Sequence, residues 1–331
     1  MVLVTGGTGL VGAHLLYKLT ADGQYVRAIH RKDSDLNTVK LIFAFFTEDV
    51  EKLFSKIEWV EADINDLPKL TKAFKNITYV YHTAALISFD PKDYFKMRKV
   101  NIEGTSNIVN LCIANNIKKL CYTSSIAALG KTLDKKPITE KTPWNPEAKN
   151  NAYAISKHGA EMEVWRASQE GIDVVIVNPG IILGAGSWNK GSGKIFKRIH
   201  NGMKFYTTGI TGFVDVEDVV IAMVTLMKSA IKNDRFILVS ENWSFKKLFT
   251  TIAEKFGKVP PYKKAPFFIL YVLCYIDWLK SFFTGSKRTF TKASVHAAFR
   301  SNYYSSEKIK KAIEFDFKPL SKTIEIICSR Y

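Results

Sequence analysis

The amino-acid sequence predicts an α/β fold, in which a doubly wound parallel sheet is followed by a smaller, mostly helical C-terminal part. Three observations support this prediction. Short apolar strands alternate with longer helical stretches through the first two-thirds of the chain, and the first strand runs directly into a glycine-rich loop. After Pro179 the pattern changes to a glycine-rich loop and then to aromatic, helical segments. Strand–helix alternation is typical of βαβ units whose parallel sheet is covered on both faces.

Six segments have the composition of strands, because they are short, β-branched or aromatic, and bounded by turn residues. They are residues 2–5, 25–30, 57–61, 79–83, 120–124 and 174–177. Segments with helical periodicity lie between them, such as 12–20 and 101–115. Right-handed crossovers place the carboxyl ends of all these strands along one edge of the sheet, where ligands bind.

The loop after the first strand has the spacing of a dinucleotide-binding turn. It reads T-G-G-T-G-L-V-G, and its expected cofactor contacts are Gly6, Thr8, Gly9, Leu10, Val11 and Gly12. Gly6 permits the tight turn, Gly9 lets backbone N–H groups approach a pyrophosphate, and Gly12 allows the helix to pack closely on the sheet. At the first strand–helix junction of a βαβ chain, this motif predicts a nucleotide site.

The end of the second strand indicates which dinucleotide binds. An NAD site usually carries a carboxylate about 20 residues after the glycine loop. Here His30 and Arg31 occupy that place, and no acid occurs before Asp33. A guanidinium binds a 2′-phosphate through charge-assisted hydrogen bonds, so we expect NADP in preference to NAD. If these cations are only solvated loop residues, the preference stays open.

Two further strand ends are expected to line the cofactor. Asp63 is placed to accept a hydrogen bond from the adenine amino group, with Ile64 covering the ring, although a helix cap explains Asp63 equally well. The small residues Thr83, Ala84 and Ala85 leave space for the sugar and nicotinamide.

Tyr153 and Lys157 are four residues apart, which places the phenol and the ammonium on one face of a helix. A tyrosine has a pKa near ~10, and a nearby lysine together with an oxidised nicotinamide is expected to bring it towards neutrality. Ser125, at the end of a strand that also carries Thr123, is expected to polarise the substrate oxygen unless it is only a cap. Asn101 is expected to hold a water that relays protons from Lys157.

Composition excludes several classes of protein. The 331 residues are 47% hydrophobic and 24% charged, which is typical of a globular chain and not of a disordered or fibrous one. The four cysteines form no C-x-x-C pair, so neither a disulfide framework nor a metal site is expected. The strand at the N-terminus leaves no room for a signal peptide, and a cytoplasmic location is the expectation.

The formal net charge is +17, and the last 91 residues, with 17 basic and 7 acidic side chains, carry +10 of it. The lysines are spread singly, without an arginine-rich stripe, so nucleic acid is not an expected partner. A solvated surface is the simplest interpretation, and attraction to an anionic surface or substrate is the alternative.

The segment 266–283 is apolar and aromatic, but its uncharged part is about a dozen residues, short of the ~20 that a spanning helix needs. The favoured interpretation is a buried or lid helix over the substrate pocket. The alternative is a helix that lies on anionic lipid, aided by the flanking Lys263, Lys264, Lys287 and Arg288, and this would make the protein peripheral at the membrane.

These motifs, in this order, resemble the extended short-chain dehydrogenase/reductase family, within it the dihydroflavonol 4-reductase-like and 3β-hydroxysteroid dehydrogenase-type branch. The resemblance covers roughly residues 1–225, including Asn178-Pro179-Gly180. It implies a Rossmann-type domain, with Ser125, Tyr153 and Lys157 as a catalytic triad, Asn101 as its fourth member, and Pro179, Gly180 and Ile182 beside the cofactor. We therefore expect a nucleotide-binding domain over 1–180, with 205–240 returning to the sheet, and a mainly substrate-binding region over 181–331.

The resemblance implies a reductase or dehydrogenase acting on a ketone or secondary alcohol. Residues expected to bound the substrate are Ser88, Phe89, Ser125, Ile126, Ala127, Asn178 and Trp188, a lining that favours an apolar or aromatic molecule. Dehydration is disfavoured because no acid follows Ser125. A nucleotide-sugar 4-epimerase with bound NAD is the alternative, since Asn178 matches a position some such enzymes use, and a non-catalytic dinucleotide sensor is the third. The family often pairs subunits, so a homodimer is one expectation.

Overall fold

The computed structural model describes residues 1–132, 136–286, 288 and 291–331. Its strands are β1 (Val2–Thr5), β2 (Val26–His30), β3 (Ile57–Glu61), β4 (Tyr79–His82), β5 (Lys119–Thr123), β6 (Asp173–Pro179), β7 (Ile181–Leu183), β8 (Phe205–Tyr206), β9 (Ile210–Asp215), β10 (Asp234–Leu238), β11 (Glu241–Ser244) and β12 (Lys263–Lys264). Its helices are α1 (Leu10–Ala21), α2 (Asn37–Phe43), α3 (Val50–Phe54), α4 (Leu67–Ala73), α5 (Tyr94–Met97), α6 (Gly104–Ala114), α7 (Ala152–Gln169), α8 (Gly193–His200), α9 (Val216–Lys228), α10 (Phe245–Lys255), α11 (Phe267–Thr284), α12 (Lys292–Phe299), α13 (Glu307–Ile313) and α14 (Leu320–Ser329).

A seven-stranded parallel sheet, in the order β10-β6-β5-β4-β1-β2-β3, forms the centre of the molecule. Alternate residues of each strand enter two different cores. Val175 and Val177 of β6 pack on the side of α1, α2 and α9, whereas Val174 and Ile176 pack on the side of α4, α6 and α7. The predicted fold class, a doubly wound sheet covered on both faces, is therefore confirmed.

The chain reverses direction of winding between β1 and β4, which are neighbours in the sheet. In open α/β sheets a ligand crevice forms at this point, outside the carboxyl ends of the strands. The glycine loop follows β1 and the segment 83–93 follows β4, so both border the crevice.

The later part of the chain divides between two sheets. Strand β10 pairs with β6 at the edge of the central sheet, and α9 packs over α1 on its face. Strands β7, β9 and β11 instead form a separate three-stranded sheet, and β8 pairs with β12. Within 205–240, only β10 thus enters the central sheet.

Helix α11 differs from the favoured sequence interpretation. Only 11% of its 18 residues are buried, and its apolar side chains are exposed instead of lying in a core. The expectation of a buried helix over 266–283 is therefore wrong, whereas its alternative form, a lid helix over the substrate pocket, stays a prediction. The physical reason is that composition alone does not tell which side of an apolar helix other elements will cover.

Candidate active site

The glycine loop brings β1, the start of α1 and the segment after β4 into close contact. Gly6 has a φ of +70°, and a Cβ atom there would lie 2.6 Å from the Ala84 nitrogen. A Cβ at Gly12 would lie 2.1 Å from the Gly6 carbonyl oxygen. Gly12 thus makes room for the loop's own carbonyl, and not for packing of the helix on the sheet as the sequence suggested. Any larger residue at these positions would open the turn.

The first turn of α1 has the features of a phosphate site. Gly9 caps the helix with extended backbone and is exposed, and no acidic residue lies in the first turn. Thr8, Leu10 and Val11 are half-buried around it, with Leu10 packed towards the loop after β7. The unpaired N–H groups and positive end of a helix favour an anion here. The exposed Gly9 and the first turn of α1, which carries no acid, therefore fit a dinucleotide pyrophosphate.

The end of β2 carries the predicted cations. His30 is half-buried, with its ring edge-on to Trp59 at 5.8 Å and its Nδ1 3.0 Å from the Arg31 carbonyl oxygen. Arg31 is exposed at the tip of the strand. Glu61 pairs in register with His30 on β3, but its carboxylate accepts a hydrogen bond from Lys69 at 2.9 Å. Lys69 therefore offsets the negative charge of Glu61, which lies beside His30.

At the end of β3, Asp63 and Ile64 have local partners. The Asp63 carboxylate accepts from the Asn65 N–H at 2.9 Å, while Asp66 caps α4 by accepting from Lys69 N–H. The alternative that Asp63 is the helix cap is therefore wrong. Ile64 is buried against Gly104, where a Cβ would lie 2.5 Å from its Cδ1 atom. This contact makes Ile64 a core residue between β3 and α6.

A buried polar chain that the sequence did not indicate holds the end of β4. His82 Nδ1 lies 2.6 Å from Thr5 Oγ1, and its Nε2 lies 3.0 Å from Thr105 Oγ1. Burial lowers the pKa of His82 to about 3, so the ring is neutral. The Thr83 hydroxyl donates to the Thr5 carbonyl, the Ala84 N–H donates to Thr5 Oγ1, and Ala85 then emerges into solvent. These bonds fix the crevice wall opposite the glycine loop.

Tyr153 and Ser125 meet at the carboxyl edge of the sheet. Asn151 caps α7 by accepting from Ala154 N–H, which places Tyr153 in the first turn. Ser125 Oγ accepts from Ala127 N–H at 3.1 Å, so its proton is free for the hydrogen bond to the Tyr153 phenol. Burial raises the pKa of Tyr153, and the bond from Ser125 opposes that rise. Ser125 is thus both a cap and a partner of the phenol.

Lys157 is buried beneath this pair. Its Nζ donates to the Tyr122 hydroxyl at 2.6 Å and to the Thr123 carbonyl at 2.8 Å. Desolvation lowers the pKa of Lys157 to about 7, although the charge of Glu161 acts in the opposite direction. Among the chain's own groups, burial dominates the pKa of Tyr153, and the Lys157 ammonium is bonded to β5. The lowering expected when an oxidised nicotinamide is bound stays a prediction.

Asn101 lies in a π-helical turn, Arg98–Glu103, that precedes α6. Such turns occur often at functional sites. Its Nδ2 donates to Leu86 O at 3.0 Å and to Ser156 Oγ at 2.9 Å, and its Oδ1 accepts from Leu86 N–H at 2.7 Å. The side chain therefore ties the segment after β4 to α7. The predicted water beside Lys157 stays a prediction.

Glu161 and Arg235 are further residues of the site that the sequence analysis missed. Glu161 is fully buried and accepts from Ser124 Oγ at 2.6 Å, from Asn178 Nδ2 at 2.9 Å and from Arg235 at 2.8 Å. Its position four residues after Lys157, on the same face of α7, was a signal in the sequence. No local pattern links it to Arg235, which lies on β10.

The predicted substrate residues separate into two groups. Phe89 is 44% exposed, and its ring centroid lies 6.1 Å from that of Tyr153. Ile126 and Ala127 are half-buried directly after Ser125. Ser88 donates to Asp93 at 2.7 Å, which uses its hydroxyl within the loop. An apolar rim therefore adjoins the phenol.

Asn178 and Trp188 lie elsewhere. Asn178 is fully buried, and its Nδ2 donates to Ser125 O and to Glu161, while its Oδ1 has no partner among the described residues, so its predicted contact with a substrate stays a prediction. Trp188 packs on Phe196 and Tyr331, with centroids 6.4 and 4.6 Å away, in the C-terminal core.

The remaining predicted cofactor contacts lie where β6 passes into β7. Pro179 ends β6, and Gly180 donates its N–H to Leu238 O at 3.0 Å. Ile182 follows on β7, paired with Val214. A Cβ at Gly180 would lie 2.4 Å from Gly212 O, so this crossing requires glycine.

A doubly wound parallel sheet, a glycine loop at its switch point and a serine–tyrosine pair above a buried lysine define a Rossmann-type protein of the short-chain dehydrogenase/reductase class. Residues 2–238 match the model of the NAD dependent epimerase/dehydratase family, and the chain belongs to that family. The resemblance noted from the motifs is thereby confirmed.

Relatives named as reductases match most of the chain. A protein of Synechocystis sp. provisionally named dihydroflavonol 4-reductase is 30% identical over 282 residues, covering 83% of this chain and 78% of the relative. Cinnamoyl-CoA reductase 1 of Petunia hybrida is 28% identical, covering 72% of each chain. The crystal structure of gox2253 superposes with a TM-score of 0.81 at 26% identity, covering 100% of this chain and 97% of the other. The family and the two relatives named as reductases support an oxidoreductase.

Proposed function

We propose that the protein is an NADP-dependent reductase or dehydrogenase that interconverts a ketone and a secondary alcohol. One observation carries the proposal: the Ser125–Tyr153 pair lies above the buried Lys157, at the same sheet edge as the glycine loop. The reductase names of the relatives support it. The UDP-glucose 4-epimerase of Thermotoga maritima has a TM-score of 0.78 at 20% identity, a likeness of fold alone.

The cofactor would be held by the first turn of α1, by Arg31 and by the segment after β4. When bound, a nicotinamide supplies or accepts the hydride. The pyrophosphate would rest on Gly9 and its neighbours, and the Arg31 guanidinium would bind the 2′-phosphate through charge-assisted hydrogen bonds.

The chain's own residues manage the proton. In reduction Tyr153 donates the phenolic proton to the substrate oxygen, and in oxidation it removes the hydroxyl proton. The Ser125 hydroxyl orients that oxygen and stabilises the phenolate. Lys157, with a pKa of about 7, supplies positive charge below the phenol when protonated and returns the proton.

The rim favours an apolar or aromatic substrate over a sugar nucleotide. Phe89, Ile126 and Ala127 present apolar surface beside the phenol. Asn178, on which the epimerase alternative depended, uses its Nδ2 to hold Glu161 and the Ser125 carbonyl within the protein. Ser125 is followed by no acid, so dehydration also lacks a second proton-transfer group.

The test is a panel of aliphatic and aromatic ketones and UDP-sugars, followed by nicotinamide absorbance with NADPH and NADH. We expect ketone-dependent oxidation of NADPH, and its loss by at least ~100-fold in Tyr153→Phe with dinucleotide binding retained. The matched control is Tyr25→Phe, which changes an exposed tyrosine distant in sequence from Tyr153 and should keep full activity.

Other outcomes decide between the alternatives. Retained turnover in Tyr153→Phe would refute the acid–base role. Interconversion of UDP-sugars without net absorbance change would identify an epimerase, and dinucleotide binding without any turnover would favour a sensor.

A further inference from the structure

Helix α11 has its apolar surface on the outside. One stripe runs along it with the spacing i, i+4, i+7, i+11 and i+14, and a second lies beside it with spacing of seven. The members, each at least 40% exposed, are Phe268, Val272, Tyr275, Leu279 and Phe282 in the first stripe and Ile269, Ile276 and Phe283 in the second. A soluble surface helix has the reverse arrangement, so this face requires a partner.

The opposite side of α11 contacts the protein. Cys274 and Ser281, seven residues apart, are its buried members. Ser281 Oγ accepts from Lys92 at 3.2 Å, and the Cys274 carbonyl accepts from Arg288 at 3.3 Å. Phe267 lies 5.4 Å from Phe299 of α12. The docked stripe is narrow, which explains why the outward stripes stay uncovered.

These contacts orient the helix along the molecular surface. By length and composition α11 is able to cross a membrane, with a mean hydropathy of 1.4. However, β12 pairs with β8 just before α11 begins, and α12 returns along α11 after it ends. Both flanks therefore belong to the same folded body. A helix held in this way lies parallel to the surface that it binds.

The charges around the helix select an anionic partner. Lys263, Lys264 and Lys280 are exposed at its edges. Lys292 Nζ lies 5.4 and 5.2 Å from the ring centroids of Tyr271 and Tyr275, beside the apolar stripes. Trp278 and these tyrosines are the aromatic residues favoured at a lipid headgroup level. In a second copy of this chain, with its net charge of +17, the same lysines would face each other and repel.

The loop that borders the catalytic pocket belongs to the same surface. Asp90 accepts from the Arg288 N–H, and Lys92 bonds to Ser281, so residues 87–95 are fastened to α11. Ile87 and Phe95 are 64% and 78% exposed in this loop, and Phe89 adjoins Tyr153. Exposed apolar side chains are thus present both on α11 and on the segment that leads to the rim of the pocket.

We propose that α11 lies flat on the surface of an anionic lipid bilayer, with its two outward stripes among the acyl chains and its lysines at the headgroups. Through the bond between Lys92 and Ser281, the segment 87–95 is held next to the membrane-bound helix. This inference is based on the exposed surface alone and does not depend on the proposed reaction.

The test is cosedimentation of the purified full chain with vesicles of phosphatidylcholine and phosphatidylglycerol, compared with phosphatidylcholine alone. The variant combines Phe268→Ser, Phe282→Ser and Phe283→Ser, which are 75%, 68% and 77% exposed. The control combines Tyr25→Ser, Leu41→Ser and Val259→Ser, which are 70%, 65% and 75% exposed elsewhere. Thermal unfolding verifies that both fold.

We expect the native chain and the control to sediment with the anionic vesicles, and the partition coefficient of the α11 variant to fall at least ~10-fold. Weaker binding to phosphatidylcholine alone and release by alkaline carbonate support a surface helix. The proposal is overturned if the native chain stays in the supernatant, if the α11 variant binds equally, or if carbonate fails to release the chain, which would indicate a spanning helix. If the native chain does not bind vesicles but forms a dimer without lipid, and if the α11 variant is monomeric, the exposed face of α11 binds a second copy of the chain instead.

Discussion

Arg31 is the residue on which the proposed preference for NADP depends most. It is exposed at the end of β2, beside His30, whose Nδ1 is held by the Arg31 carbonyl. Glu61 on the neighbouring strand would repel a 2′-phosphate, but Lys69 neutralises it, and the pKa of Glu61 is lowered by that hydrogen bond. The balance of charge at this strand end is therefore positive.

Replacing Arg31 with Ala should weaken NADPH more than NADH. A charge-assisted hydrogen bond contributes ~1.5–3 kcal/mol, so we expect the dissociation constant for NADPH to rise about 10- to 100-fold. The affinity for NADH should change less than about threefold, as measured by fluorescence titration. Lys32→Ala removes an exposed neighbouring cation and serves as the control. Equal losses for both dinucleotides would rule out a contact with the 2′-phosphate.

At the scale of elements, α7 unites catalysis and stability on one face. Tyr153, Lys157 and Glu161 follow at intervals of four residues, and Glu161 connects the helix to β6 through Asn178 and to β10 through Arg235. The Asn178 amide in turn donates to the carbonyl of Ser125. The position of Ser125, the proposed catalytic serine, therefore depends on a buried carboxylate that does not contact it.

Glu161→Gln should destabilise the protein strongly, because it removes the buried negative charge that pairs with Arg235. The new amide N–H group would also face Ser124, Asn178 or Arg235, all of which donate hydrogen bonds at this place. Breaking a buried ion pair costs ~3–5 kcal/mol, and we expect a loss near the lower limit because Arg235 also donates to Glu140 O. The matched control is Glu163→Gln on the same helix, whose pair with Arg166 is solvent-accessible and contributes less than ~1 kcal/mol. Urea unfolding of both variants provides the measurement, and equal losses would contradict this account.

At the scale of the whole molecule, buried imidazoles make stability depend on pH. His14 is buried in α1 beside Phe46, with Nδ1 2.8 Å from Leu10 O, and desolvation lowers its pKa from 6.5 to about 4. As the pH falls below 6.5, the unfolded chain binds this proton before the folded protein does. The free energy of unfolding therefore falls between pH 6.5 and about 4, and is unaffected by this group above that window.

His14→Gln keeps a donor for Leu10 O but does not titrate. Between pH 7.5 and 5, we expect its free energy of unfolding to fall by about 2 kcal/mol less than that of the native chain. Urea denaturation at the two pH values measures the difference. If both proteins lose the same stability on acidification, the folded His14 is not held neutral.

The sequence determined six of the seven strands of the central sheet and the glycine loop at its carboxyl edge. Strand composition located the six strands to within two residues, because β-branched runs between turn residues have few other conformations, and the glycine loop requires its turn through Gly6. The one-turn spacing from Tyr153 to Lys157 needed only helical geometry.

The tertiary structure alone decided which partners those residues have. Lys157 bonds to Tyr122, and Glu161 bonds to Asn178 and to Arg235 on the distant strand β10. Asn101 bonds to Leu86 and Ser156. The tertiary structure also decided that the apolar side of α11 faces outward. Local periodicity specifies an element and its apolar face. What covers that face depends on contacts between residues distant in sequence, and local periodicity carries no information about those contacts.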